Sequence, residues 1–169
     1  MADHGTPAGL AGRDLETWAA LATVLEWLPP ALDAQLKRDA DLAHFEYGVL
    51  FALARAPERT LRMSVLADYS NSTLSRLSRA VTRLEQRGWV RRSVDPGDGR
   101  FTLATLTDAG ARQYELATPG HEENVRALVL DALTARQREQ LLAISRTIAT
   151  RIRPGGGWSG AHSAVPRLR

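Results

Sequence analysis

Residues Ser72 to Leu106, STLSRLSRAVTRLEQRGWVRRSVDPGDGRFTLATL, decide how this 169-residue chain is read. In the first half, Leu74, Leu77, Val81 and Leu84 recur at spacings of three and four, which puts them on one face of a helix that can dock on a core. The remaining face carries Ser75, Arg76, Ser78, Arg79, Thr82, Arg83 and Gln86, with no carboxylate among them. Guanidinium groups neutralise phosphates and grip guanine edges through paired hydrogen bonds, and short hydroxyls let a helix sit close to a duplex. Thr73 or Ser72 is placed to cap the start of this helix, and Gly88 to end it.

After Gly88, Trp89 to Ser93 leads into Asp95-Pro96-Gly97-Asp98-Gly99, a cluster of turn formers, and Arg100 to Leu106 then alternates as a strand does. The expectation is a β-hairpin beside the helix. Tipped by Arg100 and flanked by Arg91 and Arg92, it suits a minor groove, whose narrow negative channel attracts arginine. Asp98 stands two residues from Arg100 across Gly99, close enough to hold the guanidinium in one orientation. An arginine-rich helix face alone is common, and a Gly-Asp-Gly turn alone says only turn. Helix, glycine and basic hairpin in succession point to winged-helix DNA binding. The expected contacts are Thr73, Ser75, Arg76, Ser78, Arg79, Arg83, Arg91, Asp98 and Arg100, with Arg76 and Arg79 reading bases and Arg83 a phosphate.

Upstream of this stretch, Leu42 to Arg55 reads as a helix with Leu42, Phe45, Val49, Leu50 and Leu53 on its core face, stopped by Pro57. Thr60 to Arg62 is short enough for a strand pairing with the hairpin, and Met63 to Tyr69 forms a further helix on Val65, Leu66 and Tyr69. Helix, short turn, helix and wing is the helix-turn-helix order. Nearer the start, Leu15, Trp18, Leu21, Ala22, Leu25, Leu28, Leu32 and Leu36 make a long apolar stripe. Pro29 and Pro30 predict a kink or a break near Trp27, because proline removes a donor and restricts the residue before it. Trp27 lies off the stripe and suggests a second buried face, as on a helix packed against a partner subunit. Downstream, Thr107 caps a helix expected to run towards Leu133 with a bend at Pro119-Gly120, and Thr134 to Gln137 is a capping box opening a last helix with Leu141, Leu142, Ile144, Ile148 and Ile152.

The fold class that follows is mainly α with a small β-hairpin wing, in a single subunit. A flexible arm is expected over 1–13 and a winged helix-turn-helix lobe over about 42–106. Dimerisation helices are expected over about 14–38 and 107–153, and a disordered tail over 154–169. Charge supports this division. The net charge is only +3, with an isoelectric point of about 9.9. Yet Arg55 to Arg112 holds eleven arginines and no lysine against six carboxylates, so more than the whole net charge sits in the expected DNA-binding lobe.

Other classes find little support. The chain has no cysteine, which removes disulfides, thiolate zinc sites and thiol redox sensing. No basic leader precedes an apolar run and no stretch reaches the ~20 apolar residues of a bilayer span, so a cytoplasmic protein without a membrane partner is expected. His121-Glu122-Glu123 lacks the spacing of a helical zinc site, His44-x-Glu46 has no third partner, and no glycine loop or nucleophile elbow is present. No enzyme, cofactor or metal is therefore expected.

In this order of elements the chain resembles the MarR (multiple antibiotic resistance regulator) family of bacterial transcription factors, over about Leu15 to Arg153. The matching residues are Leu66-Ala67, Ser75-Arg76-Leu77-Ser78, Arg83-Leu84-Glu85 and Arg87-Gly88. They continue with Asp95-Pro96, Asp98, Arg100 and Leu106-Thr107 to Gly110. The resemblance implies a homodimer joined through its N- and C-terminal helices. It implies binding to a pseudo-palindromic double-stranded operator, a recognition helix in each major groove and a wing arginine in the minor groove. It also implies a repressor relieved by a small phenolic or anionic effector, lodged between the dimerisation helices and the DNA-binding lobe; Trp18, His44 and Tyr47 are the candidates there, with plain core packing the favoured reading of these side chains. A regulator or activator that needs no ligand is the alternative. The Pro29-Pro30 pair departs from the pattern of an interface helix.

Overall fold

Helix α2, His44–Arg55, is the element on which the others are assembled: Glu46, Tyr47 and every residue from Val49 to Leu53 are buried. A helix so enclosed needs neighbours on all sides, and α2 packs against α1 (Gly12–Ala40), α3 (Met63–Tyr69), α4 (Leu74–Gln86), β3 (Thr102–Leu106) and α5 (Asp108–Val125). The remaining elements are β1 (Thr60–Arg62), β2 (Val90–Val94) and α6 (Ala135–Ile152). The computed structural model of the chain describes residues 9–154; most of the expected arm and all but the first residue of the expected tail lie outside the described residues.

The three strands form an antiparallel sheet in the order β1-β3-β2, with Thr60 opposite Thr105 and Val90 opposite Leu106. Leu61, Val90, Ala104 and Leu106 are buried from this sheet, alternating with exposed or half-buried residues as the pleat requires. The short β1 pairs with the hairpin as its sequence suggested.

Helix α4 starts at Thr73, whose hydroxyl accepts the Arg76 N–H at 3.2 Å. Its end is a Schellman motif: the Trp89 N–H reaches the Leu84 carbonyl, the Gly88 N–H reaches that of Glu85, and Gly88 has φ +72. The buried stripe is Leu77, Ala80, Val81 and Leu84. Leu74, the first residue of the helix and expected on that stripe, is instead 56% exposed.

The junction of wing and α5 explains the Leu106-Thr107-x-x-Gly110 pattern. The Thr107 N–H donates to the Trp89 carbonyl at 3.0 Å, its hydroxyl donates to the Gly88 carbonyl at 2.6 Å, and that hydroxyl accepts the Gly110 N–H at 3.0 Å. One threonine thus caps α5 and locks it to the end of α4. Gly110 is needed for the approach, since a Cβ there would lie 2.1 Å from the Trp89 carbonyl oxygen.

Two expectations for the long helices change. Helix α1 is unbroken through Pro29 and Pro30. Leu25 and Glu26, the residues four positions before them, are exposed, so carbonyls that lose their partners there face solvent rather than a dry core. The chain also continues helically through Pro119, and its irregularity comes later, as a π-type turn over Arg126–Leu130. Of the apolar stripe on α1, only Leu32 and Leu36 are fully buried; Leu15, Trp18, Leu21, Leu25 and, off the stripe, Trp27 are exposed. Helix α6 has no buried residue, although Leu141, Leu142, Ile144, Ile148 and Ile152 lie along it.

The Gly110 contact yields a test. Gly110→Ala is expected to destabilise the chain by at least about 2 kcal/mol, because backbone rather than a side-chain tip must move. A urea midpoint unchanged from the parent protein would show that the α5 cap tolerates a methyl group.

Candidate nucleic-acid interface

On α4 the buried stripe defines everything else. At about 100° per residue, the ridge opposite Leu77, Ala80, Val81 and Leu84 is Ser75, Arg79, Thr82 and Gln86. The structure brings all the expected helix contacts onto this one element, but gives them different surroundings. Arg79 sits on the ridge and, among the described residues, makes only a long 3.4 Å contact from its Nε to the Ser75 carbonyl. Arg76 and Arg83, seven residues apart, share the flank that faces the start of α2. The Arg76 guanidinium lies 4.5 Å from the centre of the Phe45 ring. The Arg83 Nε donates to Glu46 Oε1 at 2.6 Å, while Glu46 Oε2 accepts the Ala43 N–H at 3.0 Å. Glu46 is 6% exposed, so this carboxylate is out of water and fully engaged. The Thr73 hydroxyl is committed to the helix cap.

The hairpin is fixed at its base and at its tip. Arg92 donates its backbone N–H, Nε and Nη2 to the Glu85 carboxylate, and Nη2 also reaches Thr82 Oγ1 at 3.1 Å. These bonds hold Glu85 below the usual carboxylate range. Arg92, expected with Arg91 to flank a minor-groove probe, is turned back onto α4 instead. A charge pattern alone does not reveal that a carboxylate seven residues earlier on the helix lies within its reach. Arg91 is exposed and has no side-chain partner among the described residues. At the tip, Asp95 accepts from the Gly97 N–H at 2.8 Å and from Arg62 Nε at 2.7 Å, and the Arg62 guanidinium covers the Phe101 ring at 4.4 Å. Phe45, Glu46, Arg62, Glu85 and Asp95 are therefore structural members of this surface that were not among the expected DNA contacts. Glu85 and Asp95 stand in the motif that carries the family resemblance, and Glu46 is the one acid in α2.

The Asp98–Arg100 pair has the expected geometry: Nε to Oδ1 is 2.9 Å and Nη2 to Oδ2 is 2.7 Å, with the Arg100 backbone N–H also on Oδ1 at 3.2 Å. Arg100's bonds hold the Asp98 carboxyl below its ordinary value, so the pair is ionised at neutral pH and is lost as pH falls through the lowered carboxylate range. Two outcomes are expected from anisotropy on a cognate duplex. Arg100→Ala weakens binding and lowers the salt slope by about one unit per site. Asp98→Ala also weakens it, although simple electrostatics predicts the reverse; tighter binding would reduce Asp98 to a turn residue.

The residues expected near an effector are divided. His44 and Tyr47 join a ring cluster with His121 and Tyr114, with Tyr47 and His121 centres 4.4 Å apart and His44 and His121 centres 5.4 Å apart. Trp18 remains on the exposed part of α1, outside that cluster. Burial, aided by neighbouring His44, pushes the His121 imidazole down to about 4, and burial pushes the Tyr47 hydroxyl up to about 12. An unfolded chain binds this proton near 6.5 and the folded chain only near 4, so stability falls as pH drops between the two. The loss from this group is expected at roughly 1–3 kcal/mol. Urea midpoints above and below that window should therefore diverge in the parent and diverge less in His121→Phe, where His44, also held below its ordinary value by burial, still contributes; an equal slope in both proteins would assign the acid sensitivity elsewhere. Among the described residues no group of three or more His, Asp or Glu is arranged to hold a metal ion, and no helix is long and apolar enough to cross a membrane.

A MarR family model matches residues 41–100, from the α1–α2 turn to the wing tip. The chain is 41% identical to Sco3205 of Streptomyces coelicolor, a MarR family transcriptional regulator solved in complex with DNA. That match has a TM-score of 0.85 and covers 90% of this chain and 95% of that one. AbsC, another MarR family regulator of S. coelicolor, aligns at TM-score 0.81 and 28% identity over 86% of this chain and 98% of its own. Among curated proteins, the transcriptional regulator HosA of Escherichia coli O111:H- is 30% identical over 63% of this chain and 76% of its own length. The chain belongs to the MarR family of DNA-binding transcriptional regulators, and it is not an enzyme.

Proposed function

We propose that the protein is a homodimeric repressor that occupies a pseudo-palindromic operator and is released by a small aromatic or anionic ligand. The observation that carries the dimer is the unsatisfied apolar surface at the two ends of the chain: Trp27 is 75% exposed, Ile144 57% and Ile152 78%, on helices α1 and α6. Scattered apolar side chains are normal on a surface, but two helices with continuous exposed stripes are the mark of an interface. A second copy is the occupant that the family's symmetry supplies. In such a dimer each α4 would enter a major groove and each Arg100 a minor groove, one helical turn apart. Sco3205, solved with DNA, supports the DNA half of this reading. The site residues in this reading are Thr73, Ser75, Arg76, Ser78, Arg79, Arg83, Arg91, Asp98 and Arg100.

Sedimentation at micromolar concentration is expected to give a dimer, and a monomer would remove the two-half-site arrangement. Release is tested by binding the protein to a duplex enriched from random sequence and then adding small aromatic acids. Dissociation at submillimolar ligand supports a sensor; unchanged binding across a broad panel favours a regulator that needs no ligand.

A further inference from the structure

We propose that the first turn of α2 is part of the DNA-reading device: Phe45 and Glu46 are positioning residues that present Arg76 and Arg83 as a fixed pair along one flank of α4. The inference rests on the DNA-binding reading of α4 and goes beyond it, because neither Phe45 nor Glu46 lies on that helix.

Three observations carry it. Consecutive residues of α2 each engage one arginine of α4, Phe45 through its ring face at 4.5 Å and Glu46 through a 2.6 Å ion pair. Those arginines are seven residues apart, two helical turns, so their guanidinium groups start about 10 Å apart along the helix on the same side. Phe45 is only partly buried and packs at the margin of the core, so its outer face is free to support a cation. Glu46 is buried, yet it pairs with an arginine whose side chain is 56% exposed. A buried carboxylate is a poor way to gain stability, since an apolar pair of similar volume does as well or better. Orientation is what such a pair adds.

The physical benefit is pre-organisation. A free arginine on a helix surface samples many rotamers and loses most of that freedom on meeting a phosphate or base edge. A guanidinium already stacked on a ring, or already gripped by a carboxylate anchored to the Ala43 N–H, has lost it in the free protein. The outward ridge of Ser75, Arg79, Thr82 and Gln86 is left for base edges, and Arg76 and Arg83 become the flanking contacts that set the helix's register. Arg76 thereby moves from base reader to register contact.

The test is a pair of double-mutant cycles on the full-length protein. Anisotropy is read on the duplex enriched by the parent and on a scrambled duplex, with the melting temperature measured alongside. Phe45→Leu is expected to weaken specific binding about three- to tenfold while leaving the salt slope intact, because Arg76 keeps its charge. In an Arg76→Ala background the same change should cost less than about twofold, and Phe45→Tyr should restore parental binding. Glu46→Gln keeps an acceptor for the Ala43 N–H but removes the charge, and should weaken binding only when Arg83 is present. That again opposes the gain which removal of a negative charge would give. Equal losses with and without the arginine partners would overturn the proposal and make Phe45 and Glu46 ordinary packing residues. If Phe45→Leu fails to fold, the Glu46→Gln and Phe45→Tyr arms still decide it. A parent protein that enriches no duplex at all would overturn the DNA reading itself, an outcome distinct from additive cycles on a duplex that binds.

Discussion

The burial of α2 is the constraint from which the other features follow. Its residues from Val49 to Leu53 are enclosed all round, so helices on both sides and a strand must pack against it at once. An element buried that fully cannot shift without disturbing each of its neighbours. Its first turn, where His44 and Phe45 are half-buried, is also where it touches α4 through Phe45 and Glu46. The most deeply buried helix of the fold therefore sets the seat of the helix proposed to meet DNA. Sequence pattern hints at this only faintly, because a helix buried on every side loses the periodicity by which amphipathic helices are recognised.

What could be read in the sequence was local. The cap at Thr73, the glycine end at Gly88, the turn-rich wing and the threonine start of α5 each depend on neighbours a few residues away, and each appears where expected. Side-chain partners across the fold were not legible. Arg92 and Arg91 are adjacent and chemically identical, yet one is bound to Glu85 and the other is exposed. Successive side chains of a strand point to opposite faces, and only the face that carries Arg92 meets α4. Leu74 failed for a related reason: periodicity identifies a face, but the width of the neighbouring core decides how many turns of that face are covered.

The outer helices illustrate the opposite limit. The stripes on α1 and α6 were read correctly as apolar, and in the single chain they remain uncovered. Hydrophobic pattern records what a residue needs, not which molecule supplies it. Pro29 and Pro30 show the same dependence on surroundings. Their cost falls on carbonyls at an exposed stretch of α1, where solvent is available, so the helix continues through a sequence that would break a dry one.

The two anchors of the wing have a mechanical consequence. Arg92 rivets the base of the hairpin to α4, and the Asp95–Arg62 bond ties its tip to β1. The ridge of α4 and the guanidinium of Arg100 are therefore two points on one rigid gauge, not two independently jointed fingers. A gauge of fixed span measures the distance between what its points touch. If both points meet a duplex, one with the same base edges but a different twist or groove width would fit this gauge less well, which is selection by shape at base pairs outside the contacts.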